Sequence, residues 1–157
     1  MITQDTYIQV HQGGRARRAI KFNIGDQVYD GFAGRYSQIT DIVVKIIDLA
    51  VQPELRPIMI SRDLFRPDRP SRDVWVSPHQ TILQVQRHAW QPNVPVLERV
   101  SAHQFELPDA AKPEDAPDTV TYVALIFESA THLSCSGILI RGYQQDCPSN
   151  LETTAGI

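Results

Sequence analysis

The sequence predicts one all-β domain built from many short antiparallel strands. Eleven prolines and eight glycines are spread over 157 residues, and this density of helix breakers leaves little room for long helices. Between the breakers lie runs rich in β-branched and aromatic residues, the longest at residues 37–49 (SQITDIVVKIIDL) and 121–141 (TYVALIFESATHLSCSGILIR). A chain of this length has enough interior for a single core.

The first strands are delimited by glycine-containing turns. Residues 6–10 form a predicted strand, and the Gln12-Gly13-Gly14-Arg15 segment after it is typical of a hairpin turn. At Ile24-Gly25-Asp26 the glycine tolerates a positive φ and the aspartate can bond its own backbone. This turn is therefore expected to lead into a strand at residues 27–29.

The most hydrophobic stretch, residues 37–49, fits a helical period as well as a strand. Its density of β-branched residues favours one long strand, with a bulge near Asp41. After a turn at residues 53–57, residues 57–60 form a further short strand.

Two tryptophans, Trp75 and Trp90, flank the central strand pair, and we assign both to core or edge packing rather than to ligand stacking. Residues 108–118 (PDAAKPEDAPD) are acidic and proline-rich, which predicts an exposed loop within the domain. Residues 143–157 (YQQDCPSNLETTAGI) have the composition of a polar C-terminal tail.

The late run at residues 121–141 predicts two strands. They are separated by a turn at Glu128-Ser129-Ala130, and the second strand carries a tight bend at Gly137. Cys135 lies in this second strand.

Composition excludes several classes of protein. There is no apolar run near the length of a membrane span and no signal-peptide pattern, so we expect folding in the cytoplasm without membrane contact. A net charge of −3 gives no general attraction to nucleic acid or anionic lipid. The two cysteines, Cys135 and Cys147, are expected to be free thiols, and the histidine spacing predicts no metal site and no cofactor.

Two arginine clusters are candidates for contact with phosphate groups. We interpret the first, at residues 15–18, as a solvated hairpin end, and we expect the second to be neutralised by Asp63, Asp68 and Asp73. Nucleic-acid binding is therefore not the favoured function, although a ligand-binding β module remains a third hypothesis. The arginines concerned are Arg15, Arg17, Arg18, Arg62, Arg66, Arg69 and Arg72.

Four segments, in the right order, resemble motifs of the Hint (Hedgehog/intein) domain family. They correspond to the family's nucleophile with Gly-Thr-x-Ile, its Val-Gly-Asp-x-Val turn, its Val-Thr-x-x-His motif and its late Asn-Gly-Ile-Leu-Val run. The resemblance implies a compact fold with a pseudo-two-fold horseshoe architecture over residues 1–142. The matching segments are Met1 with Asp5-Thr6-Tyr7-Ile8, residues 22–28 (FNIGDQV), residues 74–83 (VWVSPHQTIL) and residues 136–140 (SGILI).

The resemblance also implies an acyl shift, which needs a nucleophile that can lose a proton and a base within reach of it. The chain departs from the family at every position of this chemistry. We further expect no carbonyl ahead of the first residue and expect His79, one position early, to point away from the site of the family's base. The family's nucleophile, histidine, aspartate and terminal His-Asn pair fall on Met1, Gln80, Ala124, and Arg141 with Gly142.

The resemblance therefore predicts a catalytically inactive Hint-like domain that serves as a structural or assembly component of a larger complex. A phage tail or baseplate, and hence a virion, is one setting for it. Its partners would be other protein subunits, bound through strand edges and through residues 143–157. The alternative is residual self-processing by an autoproteolytic, intein-like domain that uses another nucleophile, Cys135 or Ser77.

Overall fold

A computed structural model describes residues 1–88, 91–105 and 118–145 of the chain. In these residues there are thirteen β-strands, three short 3₁₀ helices and no α-helix, so the all-β prediction is confirmed. None of these helices has the length and apolar character that a membrane crossing needs. The strands are β1 (Ile2–Thr3), β2 (Tyr7–Gln9), β3 (Ala16–Arg18), β4 (Gln27–Asp30), β5 (Arg35–Asp48), β6 (Ile58–Ile60), β7 (Val74–Val76), β8 (Thr81–His88), β9 (Gln91–Ser101), β10 (Thr119–Phe127), β11 (His132–Cys135), β12 (Ile138–Arg141) and β13 (Tyr143–Gln144).

Eleven strands form one curled sheet in the order β6-β7-β1-β10-β5-β4-β11-β12-β8-β9, with β13 added beside β10. Neighbouring strands are antiparallel except for β10 and β13, which are parallel. The hairpin of β2 and β3 stands apart from this sheet. β10 pairs with β5 along one edge and with both β1 and β13 along the other. The first and the last described strands therefore meet along β10.

Two predictions about the early strands are confirmed. The β2–β3 hairpin forms as expected, with Ile8 opposite Arg17. The long hydrophobic stretch is the single strand β5, and its bulge lies next to Asp41: Ile126 of β10 is opposite Asp41, whereas Phe127 is opposite Ile39. β-branched residues thus outweigh the helical period in this stretch.

The predicted bend at Gly137 is a full chain reversal, so the two strands expected in residues 121–141 are three. Ser136 and Gly137 have φ values of 52° and 93°, which is the left-handed pair that a two-residue hairpin turn requires. Cys135 consequently pairs with Ile138, and β11 and β12 lie side by side. The alternating pattern continues through the turn, so the sequence pattern alone did not separate a bend from a reversal.

Burial follows the two faces of β10. One face joins the main core, with Val123, Leu125 and Phe127 packed among residues from most of the other strands. The other face joins a smaller cluster in which Tyr122 packs with Ile47 and donates a hydrogen bond to the Leu55 carbonyl at 2.6 Å. β10 is therefore the strand about which both cores are built.

Several expectations concern the ends and loops of the chain. The sheet continues past residue 142, where the sequence placed the end of the domain, because Tyr143 and Gln144 form β13. Trp75 is exposed on β7 rather than buried in the core. Of the predicted loop at residues 108–118, the structure describes Asp118 alone, and the rest of that loop, Trp90 and residues 146–157 lie outside the described residues.

Candidate functional site

The positions that the resemblance assigns to cleavage come together where β1, β10 and β13 meet. The register of β1 against β10, with Ile2 opposite Val123, places Met1 beside Ala124. The Gln80 side chain reaches the last strands by donating a hydrogen bond to the Arg141 carbonyl at 3.0 Å. We call this group the terminal site: Met1, Ser77, Gln80, Ala124, Arg141, Gly142 and Tyr143.

The backbone nitrogen of Met1 is the centre of the terminal site. It donates hydrogen bonds to Ser77 Oγ, at 3.0 Å, and to the Tyr143 hydroxyl. The Met1 carbonyl accepts a hydrogen bond from the Ser77 N–H at 2.9 Å. Burial, and to a lesser extent the charge of Lys45, lowers the pKa of the free α-amino group from 8.0 to about 4. At neutral pH the free amine is therefore uncharged here.

Gln80, which the resemblance places at the family's histidine position, is a structural residue. It is buried, and its Nε2 donates to the carbonyls of Arg141 and Thr81, at 3.0 and 3.2 Å. A primary amide does not exchange a proton near neutral pH, so Gln80 cannot serve as an acid or a base. Its contribution is to tie the turn before β8 to the end of β12.

Gly142, at the family's terminal asparagine position, has no room for a side chain. A Cβ atom at Gly142 would lie 2.8 Å from Cε2 and 3.0 Å from Cδ2 of Phe127. Phe127 is itself fully buried, and the Gly142 N–H is held by the Thr131 carbonyl at 2.9 Å. The packing that surrounds this residue therefore excludes an asparagine, which any cyclisation would need.

A cavity of about 20 Å³ lies beside Gln80, between the turn before β8 and the start of β13. This volume holds about one water molecule and no organic ligand. His79 contributes to its lining, is exposed, and packs edge-to-face on His103 with ring centroids 5.3 Å apart. His79 lies in a turn with Pro78 rather than in an alternating strand, and it is exposed whereas Gln80 is buried.

The two alternative nucleophiles differ in their surroundings. Cys135 is fully buried, and burial raises its pKa to about 12, so the reactive thiolate is scarce at neutral pH. Ser77 is also buried, but its hydroxyl touches the Met1 nitrogen. The part of the chain that the structure describes contains no cluster of three or more His, Cys, Asp or Glu side chains that could hold a metal ion.

Tyr143 is the residue of the terminal site that the sequence analysis missed. Its hydroxyl contacts the Met1 nitrogen, and burial raises its pKa to about 12, so that it stays a neutral hydrogen-bonding group. Its position in the sequence predicts that it belongs to the polar tail. An aromatic residue directly after Gly142, in an otherwise polar segment, was the available signal.

A second buried polar group lies one strand pair away, at the end of β4, and we call it the Asp30 corner (Asp30, Phe32, Ala33 and His132). Asp30 accepts backbone hydrogen bonds from Phe32, Ala33 and His132, at 2.8 to 2.9 Å, and its Oδ2 lies 3.2 Å from His132 Nδ1. Burial alone raises the pKa of Asp30, but these three N–H donors and the charge of His132 outweigh it and leave the pKa below its ordinary value. His132 is opposite Arg141 in the sheet, so the two sites are neighbours.

The first arginine cluster, predicted to be a solvated hairpin end, is paired in part, and the second is paired less completely than predicted. Arg17 and Arg18 form salt bridges with Asp26 and Asp5, at 2.5 and 3.2 Å. In the second cluster Arg62 bonds Asp63 and Asp68, at 3.3 and 3.8 Å. Fewer arginines of this cluster are neutralised than the alternating sequence implied. Asp73 accepts a hydrogen bond from the backbone N–H of Arg62. The Arg72 guanidinium lies over the Tyr7 ring, 4.9 Å from its centroid.

The first residue, the mid-chain turn and the last strands of this all-β domain thus converge on the Met1 nitrogen. A family model described as the Hint domain matches residues 2–146, and the chain belongs to this family. Neither the comparison with curated proteins nor the comparison with solved structures gives a match.

Proposed function

We propose that this Hint domain does not cleave itself and serves as a structural or assembly component of a larger complex. The terminal site carries the proposal, because it keeps the arrangement of a cleavage centre while Met1, Gln80 and Ala124 supply neither a nucleophile nor a base. Gly142 adds a steric argument, since the Phe127 ring occupies the space of a terminal side chain.

The assembly part of the proposal is supported by the surface of the sheet. Its outermost strands, β6 and β9, present unpaired edges among the described residues, and such edges are templates for strand addition. Exposed apolar side chains also lie on β5 and β7, including Ile46 and Trp75. A phage tail or baseplate is one setting for such a component, and co-sedimentation with virions would test it.

Passenger release tests the loss of cleavage. A reporter domain is fused ahead of Met1, and the fusion is incubated with and without a thiol. We expect the unaltered domain to retain its reporter. The positive control carries Met1→Cys, Gln80→His and Ala124→Asp, which replace the three groups that the family chemistry uses; Met1→Cys alone is the matched partial control.

The alternative, residual self-processing, is favoured by one observation: Ser77 Oγ lies 3.0 Å from the Met1 nitrogen. It predicts slow release of the reporter by the unaltered domain, abolished by Ser77→Ala and unaffected by Cys135→Ala. Release with that pattern would overturn the proposal of an inert domain.

A further inference from the structure

We propose that this protein pairs with a second copy of itself through the outer edge of β5, the edge that faces away from β10. The inference deepens the assembly role proposed above and rests on it, but it does not require that cleavage be lost. β5 pairs with β4 through residues 35–38 and with β10 through residues 39–48. Among the described residues, no strand pairs with its outer edge from Asp41 to Asp48.

Two hydrogen bonds show which backbone groups face outward. The Ile42 N–H donates to its neighbour's carboxylate, Asp41 Oδ1, at 2.8 Å, and so points away from β10. Thr121, which is opposite Ile46, turns its carbonyl away from β5 to accept a hydrogen bond from the Gln4 N–H at 2.9 Å. In an antiparallel ladder alternate residues share one direction, so Ile42, Val44 and Ile46 all present N–H and C=O groups outward.

The same three residues carry β-branched side chains on one face of the strand. Ile46 is 73% exposed and Val44 is 47% exposed, whereas Ile42 is half-buried. Val44 and Ile46 therefore combine open backbone groups with apolar surface, which is the arrangement that strand addition uses. Ile42 adds an apolar side chain and an outward carbonyl, while its N–H is bound by the Asp41 carboxylate.

The outer edge of β5 is complementary to itself in the antiparallel orientation. With a two-fold axis at Val44, each Val44 faces its equivalent and each Ile42 faces Ile46 of the second copy. On the other face, Asp41 of one copy lies diagonally across from Lys45 of the other, within reach of a long side chain. A register centred on Lys45 would instead oppose two ammonium groups. A register centred on Val43 would place Asp41 directly opposite Lys45 but would leave Ile46 without an apolar partner. Matching of the apolar side chains therefore selects the Val44 register, and charge favours the antiparallel orientation of a closed two-fold pair.

Sedimentation velocity at several concentrations tests the pairing. We expect a concentration-dependent dimer, a dissociation constant raised by roughly a hundredfold or more in Val44→Lys, and no change in the matched variant Val51→Lys. Val51 is 74% exposed but lies outside β5. A protein that stays monomeric at high concentration, or a dimer equally insensitive to both substitutions, would overturn the inference.

A charge exchange tests the pairing of Asp41 with Lys45. Asp41→Lys alone and Lys45→Asp alone each place like charges diagonally and should weaken the dimer roughly five- to tenfold, whereas the double exchange should restore it. If a variant does not fold, hydrogen exchange on the unaltered protein decides: the Val44 and Ile46 amides should become protected as concentration rises, and exchange independent of concentration would refute the pairing.

Failure of this inference can be told apart from failure of the proposed function. An intact, monomeric chain refutes the β5 pairing and leaves the inert terminal site standing. A dimer that releases its passenger refutes the inert site and leaves the pairing standing.

Discussion

The terminal site and the Asp30 corner both bury polar groups where the last strands meet earlier ones, but they do so with different chemistry. At the Asp30 corner a carboxylate and a histidine are in contact, and three backbone N–H groups stabilise the charge. At the terminal site the hydrogen-bond partners of the Met1 nitrogen are two neutral hydroxyls, and among the described residues the only charge that affects its pKa is that of Lys45. This domain therefore has a carboxylate–histidine contact at the Asp30 corner and only neutral hydrogen-bonding partners at the Met1 nitrogen.

The largest expected effect concerns the Met1 nitrogen. In a chain that begins with a free amine at Met1, the folded pKa is about 4 against 8.0 when unfolded. Between these values the unfolded state binds the additional proton, so stability rises with pH across this window, by roughly 5 kcal/mol at most. Urea denaturation from pH 4 to pH 8 measures it.

The matched control for that titration is the same protein with one or more residues ahead of Met1, in which the nitrogen is an amide. Its free energy of unfolding should lack the rise between pH 4 and pH 8 that the amine causes. Equal pH dependence in the two proteins would show that the amine is not buried as described.

Removing the carboxylate from the Asp30 corner should come next in size. Asp30→Ala leaves three backbone donors and His132 without their acceptor. We expect the free energy of unfolding to fall by about 3–4 kcal/mol, because several buried groups lose their partner together. The lowered pKa of Asp30 adds stability above the ordinary carboxyl pKa, which is lost as pH falls through its folded pKa. Chemical denaturation of Asp30→Ala beside the exposed control Asp118→Ala measures the difference, and equal losses would contradict a structural role for this corner.

The steric closure of the terminal site predicts a smaller effect. Gly142→Ala should lower the free energy of unfolding by about 1–3 kcal/mol, since the added Cβ meets the Phe127 ring. In the double variant, Phe127→Leu should recover part of this loss. Gly14→Ala, where a Cβ has ordinary contacts, is the control. Additive effects of the two substitutions would mean that Phe127 is not what excludes a side chain.

The smallest effect is expected from the hydroxyl of Tyr143. Tyr143→Phe removes one hydrogen bond to the Met1 nitrogen and should cost about 0.5–1.5 kcal/mol. Tyr36→Phe, on an exposed ring, should cost nothing measurable. A loss as large as that of Asp30→Ala would mean that the two sites do not differ as the comparison states.

Local patterns predicted the fold better than the site. The β-branched residues of β5 and the order of the motifs predicted the all-β architecture. Asp41 indicated the position of the bulge, because a charged residue there interrupts an apolar run. Gln80, Ala124 and Gly142 could be placed through the resemblance. Local sequence patterns were thus sufficient to predict strands and the bulge, because these features depend on neighbouring residues.

The remaining features depend on contacts between distant residues. Tyr143 reaches a nitrogen 142 positions away, and Gly142 is required only because Phe127 packs against it. Asp30 becomes a buried anion through His132, which is 102 positions away. No local pattern records these pairings, since they arise when the sheet curls.

The most direct test of the central claim, an intact chain at the terminal site, is mass spectrometry of the protein purified with a short peptide ahead of Met1. The account predicts one species, the 17.7 kDa chain plus that peptide, unchanged after prolonged incubation with a thiol. A species that has lost the peptide at Met1, together with the released peptide as an acid or as a thioester of the added thiol, would contradict it.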